Sequence, residues 1–92
     1  MRITVEYAAQ LRQAAGTSRE ELDLDAGCTP ADLVRRIAAA HGDPLAPLLL
    51  DGAGNPRRSI LLFVGNDQVR SNTPVELRDG DSVTLLSPVS GG

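Results

Sequence analysis

Thr29-Pro30-Ala31-Asp32-Leu33-Val34-Arg35-Arg36-Ile37-Ala38-Ala39-Ala40-His41-Gly42 is the stretch from which the fold can be read. Thr29 is a good N-cap, because its hydroxyl can accept from an amide that the first helical turn leaves unbonded. Pro30 suits the first helical position, where no N–H is needed. Asp32, three residues after the cap, makes an approximate capping box. Leu33, Val34, Ile37, Ala38 and His41 recur at helical spacing, Asp32, Arg35, Arg36 and Ala39 face away, and Gly42 ends the helix. A helix that is apolar on one side must cover something.

The cover is found on either side. Upstream, Arg2 to Tyr7 alternates, with Ile3, Val5 and Tyr7 on one face, and reads as a half-buried strand. Ala8 to Ala15 is rich in helix formers around Leu11, and Gly16 stands where a helix ends. Glu20 to Leu24 alternates again, Leu22 and Leu24 inward, with a charged outer face suited to an edge. Asp25-Ala26-Gly27 is a turn. Downstream, Asp43 to Asn55 is punctuated by Pro44 and Pro47 and predicts a helical turn or two around Leu45 and Leu48 to Leu50, then a loop from Asp51 to Pro56. Ser59 to Gly65 reads as a strand, Asn66-Asp67 as a turn, Gln68 to Arg70 as a short returning strand, and Ser82 to Ser87 as the last strand after the turn signal Asp79-Gly80-Asp81. The helices precede the last strands, so the class is α+β: a single sheet crossed by one long helix, with short helices beside it.

Composition narrows the function. Ninety-two residues, 41% of them apolar, make one domain. A chain of this size hides only about 60–65% of its unfolded surface, enough for a small core but not for a deep, enclosed active site. Twelve acidic residues against nine basic ones give a net charge of −3, which argues against nucleic acid as a partner. All nine basic residues are Arg. Without Lys the chain can neither form a Schiff base nor carry an isopeptide bond on itself. One Cys and one His exclude an internal disulfide and a four-ligand Cys/His metal site. The start of the chain lacks an apolar signal segment, and no apolar run approaches the ~18 residues of a membrane span. A cytoplasmic protein without membrane attachment is the expectation.

Two features have the pattern of a working surface. The first is the end, Pro88-Val89-Ser90-Gly91-Gly92, directly after a strand. Two glycines can arise by chance, and chain ends fray. Yet glycine lacks Cβ, so such an end can thread a narrow channel and bring an unobstructed carboxylate to a phosphate or nucleophile. Pro88 prevents the strand from running on through it. The second is the strand from Ser59, apolar on both faces: Ile60, Leu62 and Val64 on one, Leu61 and Phe63 on the other. With one helix layer, Leu61, Phe63 and Leu86 lie on the uncovered face and form a partner patch, unless the segment from Leu45 to Leu50 folds over them.

The sequence resembles the MoaD/ThiS family of ubiquitin-like sulfur carriers, above all its molybdopterin synthase small subunits. The resemblance rests on Val5-Glu6-Tyr7-Ala8-Ala9-Gln10-Leu11-Arg12 with Gly16-Thr17, on Thr29-Pro30-Ala31-Asp32-Leu33, on Phe63-Val64-Gly65-Asn66-Asp67, and most specifically on residues 77–92, where Asp79-Gly80-Asp81, an apolar strand and Pro88-Val89-Ser90-Gly91-Gly92 follow one another. It implies a β-grasp domain over residues 1–87, with a mixed sheet of four to five strands, and a protruding tail over residues 88–92. It also implies that Gly92 is adenylated by a ubiquitin-activating-type enzyme using ATP and Mg²⁺, and is converted to a thiocarboxylate. A second partner, such as the large subunit of molybdopterin synthase, then accepts the sulfur, and the chain acts as co-substrate with no stably bound cofactor or metal. Gly91 gives clearance, Pro88, Val89 and Ser90 line the channel entrance, and Leu86, Phe63 and Leu61 dock. Gly65, where the family often has Asn, and the long stretch from Asp43 to Arg58 depart from the family pattern. They leave open a carrier for thiamine, cysteine or tRNA thiolation, and a ubiquitin-like protein modifier. Cys28 reads as structural, and His41 as a partner for the carboxyl end of its helix.

Overall fold

The sheet is organised around its first and last strands. In the computed structural model, which describes residues 1–87, β1 (Arg2–Ala8) and β5 (Ser82–Leu86) lie parallel at the centre, with Val5 beside Val83 and Tyr7 beside Leu85. β2 (Arg19–Asp23) pairs antiparallel with β1 on one side; β3 (Leu61–Val64) and β4 (Asp67–Val69) continue antiparallel from β5 on the other, giving the order β2-β1-β5-β3-β4. α1 (Gln10–Ala15), α2 (Pro30–His41) and α3 (Ala46–Leu49) complete the described elements.

The alternation read from the sequence decides which face is covered. Ile3, Val5 and Tyr7 of β1, Leu62 of β3, and Val83 and Leu85 of β5 are buried against Leu33, Val34, Ile37 and Ala38 of α2 in one core cluster. Each such side chain, fully removed from water, contributes about 1.5–3 kcal/mol before entropy is counted. Leu11 of α1, Leu45 and Leu49 at α3, and Leu24, Ile60 and Leu77 from the connecting segments complete the cluster.

Local chemistry sets the ends of α2. The Thr29 hydroxyl accepts from the Asp32 amide at 3.3 Å, and the Asp32 carboxylate accepts from the Thr29 amide at 3.1 Å. The capping box is therefore complete with Asp in place of Glu. These bonds, with the nearby Arg35 guanidinium, hold the Asp32 carboxyl below its usual range.

The Asp79-Gly80-Asp81 turn does more than reverse the chain. The Asp79 carboxylate accepts from the Arg2 amide at 2.7 Å, and the Gly80 amide donates to the Arg2 carbonyl at 2.8 Å. Gly80 has φ +87°, a conformation that side chains strain to adopt. The turn thus fixes the register in which β5 enters beside β1.

Several boundaries move. Ala8 continues β1 rather than opening the helix, Arg19 joins β2, Leu24 lies just past it, and Ser87 lies just past β5. β3 is limited to Leu61–Val64, and Asp67 pairs with Val64 in β4, so the tight turn is Gly65-Asn66. Among the described residues, no helix is long and apolar enough to cross a membrane.

Candidate functional site: the open face of the sheet

Side-chain parity puts three predicted residues together. Leu61 and Phe63 alternate with core-facing Leu62, and Leu86 follows core-facing Leu85, so all three point away from the helices. Leu61 lies directly opposite Leu86, and Leu86 also neighbours Ala8 on β1. Phe63 is opposite Thr84, which leads on to Glu6 and Arg19 in the same row. The result is an apolar patch at the end of the sheet where β5 leaves it, bordered by a polar row.

The alternative that the leucine-rich segment covers this patch does not hold. Leu45 and Leu49 are fully buried in the core, and Ala46, Leu48 and Leu50 pack against the same core. Leu61, Phe63 and Leu86 are half-buried, each shielded in part by cross-strand neighbours. Ala8, which the sequence reading assigned to a helix, is a fourth member of the patch. Pro88, Val89, Ser90, Gly91 and Gly92, expected to form the working tail, lie outside the described residues; Leu86 is two positions from the first of them.

Polarity beneath the sheet was less visible in the sequence. Tyr7 is 3% exposed, and its hydroxyl donates to Glu20 Oε2 at 2.8 Å. His41 Nε2 lies 2.5 Å from the same oxygen, and the two rings meet edge to face with centroids 5.9 Å apart. Burial, followed by the Glu20 bond and charge, pushes the Tyr7 hydroxyl far above its ordinary pKa. His41 closes the last turn of α2, as expected, and also ties that end of the helix to β2. The signal was available, since Glu20 shares its parity with inward-facing Leu22. Cys28 is half-buried, and its carbonyl accepts from the Leu77 amide at 2.8 Å.

A five-stranded mixed sheet with parallel central strands, crossed on one face by a capped helix, defines a ubiquitin-like β-grasp domain. Solved structures agree. SAMP1 from Haloferax volcanii superposes with a TM-score of 0.85 at 22% identity over the whole of both chains. Urm1 from Trypanosoma brucei superposes with a TM-score of 0.73 at 26% identity, covering 99% of this chain and 95% of that one. The profile of the ThiS family matches residues 5–92. A Chlamydomonas reinhardtii protein, the molybdopterin synthase sulfur carrier subunit, is 32% identical over 92 residues, the full length of both chains. The chain belongs to the ThiS family of ubiquitin-like sulfur carriers.

Proposed function

We propose that the chain carries sulfur as a thiocarboxylate on Gly92 and delivers it in the synthesis of molybdopterin. The observation that carries this reading is the match to a molybdopterin synthase sulfur carrier subunit, which spans the full length of both chains and includes Gly91-Gly92. In the first step, a carboxylate oxygen of Gly92 attacks the α-phosphorus of ATP on an activating enzyme, and pyrophosphate leaves. Mg²⁺ on that enzyme offsets the phosphate charge. The product is a mixed anhydride, so a sulfur nucleophile adds to the Gly92 carbonyl and AMP departs. The resulting sulfur is a soft nucleophile that attacks an electrophilic carbon of the acceptor's substrate. Water then cleaves the acyl–sulfur bond and restores the carboxylate. The acceptor of this reading is a large synthase subunit.

The chain contributes a tether and a docking face. Gly91 leaves room in a narrow channel, because no Cβ projects from it. Pro88, Val89 and Ser90 occupy the channel mouth, and Leu61, Phe63 and Leu86 rest against the partner beside it. An apolar patch of this kind supplies contact energy by excluding water.

The test is intact mass. The protein is incubated with an activating enzyme of this family, ATP and a sulfide source. The expected result is a gain equal to the replacement of one oxygen by sulfur, reversed on addition of the large synthase subunit and its substrate. Adducts on lysines of other proteins would instead identify a modifier, and sulfur accepted only by a different enzyme would move the carrier to another pathway.

A further inference from the structure

Four of the nine arginines converge on one side of an acidic protein. Arg35 on α2, Arg57 and Arg58 from the loop before β3, and Arg70 after β4 line an open groove of about 960 Å³ with one carboxylate, Asp51, in its lining, while Arg35 also pairs with Asp32 at 3.7 Å beside it. Arg57, Arg58 and Arg70 make no ion pair among the described residues. Two of the heads are already positioned. Arg35 Nε donates to the Gly54 carbonyl and its terminal nitrogen to Asn55 Oδ1, both at 3.2 Å, and Arg57 Nε donates to the Pro47 carbonyl at 2.8 Å. Positioning of this kind lowers the entropy a ligand must overcome. The remaining N–H groups of a guanidinium suit a carboxylate, which they can bond in pairs.

The lining also has apolar members, Leu61 and Val69. Leu61 belongs to the open-face patch as well, so the groove and the patch adjoin. We propose that this groove is a docking site for an acidic, amphipathic segment of a partner protein. Nucleic acid is the poorer match. No aromatic side chain lines the groove to stack a base. The chain as a whole carries −3, which opposes a long phosphate backbone. The Asp51 carboxylate interrupts the basic run, and the Ala53 and Asn55 amides hold it in place. Separate carboxylates can be placed to either side of it, whereas a continuous phosphate chain cannot avoid it. A groove this wide also exceeds what a single small anion fills.

The inference stands apart from the sulfur chemistry and is tested without it. The full chain, labelled with ¹⁵N, is titrated with a blocked peptide alternating Glu and Leu, with the same peptide carrying Gln for Glu, with oligouridylate and with inorganic pyrophosphate. The expected result is amide shifts at residues 57–60 and 69–72 with the Glu peptide, weakening as salt approaches about 0.15 M. Arg58→Ala/Arg70→Ala should weaken binding about five-fold or more, as loss of two exposed charge contacts predicts. Arg36→Ala/Arg78→Ala removes the same charge elsewhere and should bind as the parent does. Should the first variant lose its dispersed spectrum, Arg58→Gln/Arg70→Gln repeats the test at greater side-chain length. Equal binding by the groove variant or by the Gln peptide overturns the proposal. So does tighter binding of oligouridylate, or displacement of the peptide by pyrophosphate at lower concentration.

Discussion

The Tyr7 hydroxyl and the His41 imidazole meet on one oxygen of Glu20, at 2.8 and 2.5 Å. A strand and the end of the main helix are thereby joined through an edge strand. Tyr7→Phe keeps the ring and removes one buried hydrogen bond, so it should cost about 1 kcal/mol. Glu20→Ala leaves the buried hydroxyl without its acceptor and should cost about 1–3 kcal/mol. Urea unfolding checks both, read as a lower midpoint at unchanged slope.

The same contact predicts an alkaline limit. Tyr7 is raised above its ordinary pKa, so above pH 10 the unfolded chain loses a proton that the folded chain keeps. The unfolded state then binds fewer protons, and stability falls as pH rises from there. Tyr7 is the one Tyr and there is no Trp, so phenolate absorbance reports it cleanly. The absorbance should rise together with loss of circular dichroism rather than ahead of it. Tyr7→Phe should flatten the decline in stability. A phenolate titrating near its ordinary value in the folded protein would refute the assignment.

Ala9 has φ +53° and ψ −124°, a conformation that suits glycine. Strain of this kind costs about 1–3 kcal/mol, while glycine adds up to about 1 kcal/mol of unfolded-state entropy. Ala9→Gly should therefore stabilise the protein by about 1 kcal/mol, seen as a higher melting temperature.

Thr29→Ala removes the side chain that caps α2 and should cost about 1 kcal/mol. Thr29→Ser should recover most of this. A melting series across the three proteins makes the comparison.

Phe63→Arg puts charge on the open face without disturbing the core cluster. Thermal stability should change little. On the proposed function, the activating enzyme's KM for the carrier should rise about ten-fold, as loss of one apolar anchor implies. Deleting Gly92 should abolish sulfur loading with no change in melting temperature.

The elements were legible where neighbours in sequence are neighbours in space. The α2 cap needs only Thr29 and Asp32, and the covered faces of β1 and β5 follow from alternation. Strand order was not legible from the residues, because Val5 beside Val83 has no local signature; resemblance to a family supplied only the β-grasp class and a mixed sheet. The open-face patch followed from parity in β3. The basic groove did not, since Arg35, Arg57, Arg58 and Arg70 come from three separated segments and each looks like an ordinary solvated arginine until the chain folds. Glu20 was hidden for a different reason: β2 is an edge strand as its outer charges indicate, and an acid among them looks solvated unless it is seen to share the inward parity of Leu22.

The position of β5 between β1 and β3 has a consequence for synthesis on the ribosome. Residues 82–86 are translated late, yet they fill the middle of the sheet. Until they emerge, β1–β2 and β3–β4 have no strand between them and share only the helix layer beneath, and isolated strand pairs are marginal in water. A chain truncated before this point therefore lacks the strand that unites the sheet and should not reach the folded state.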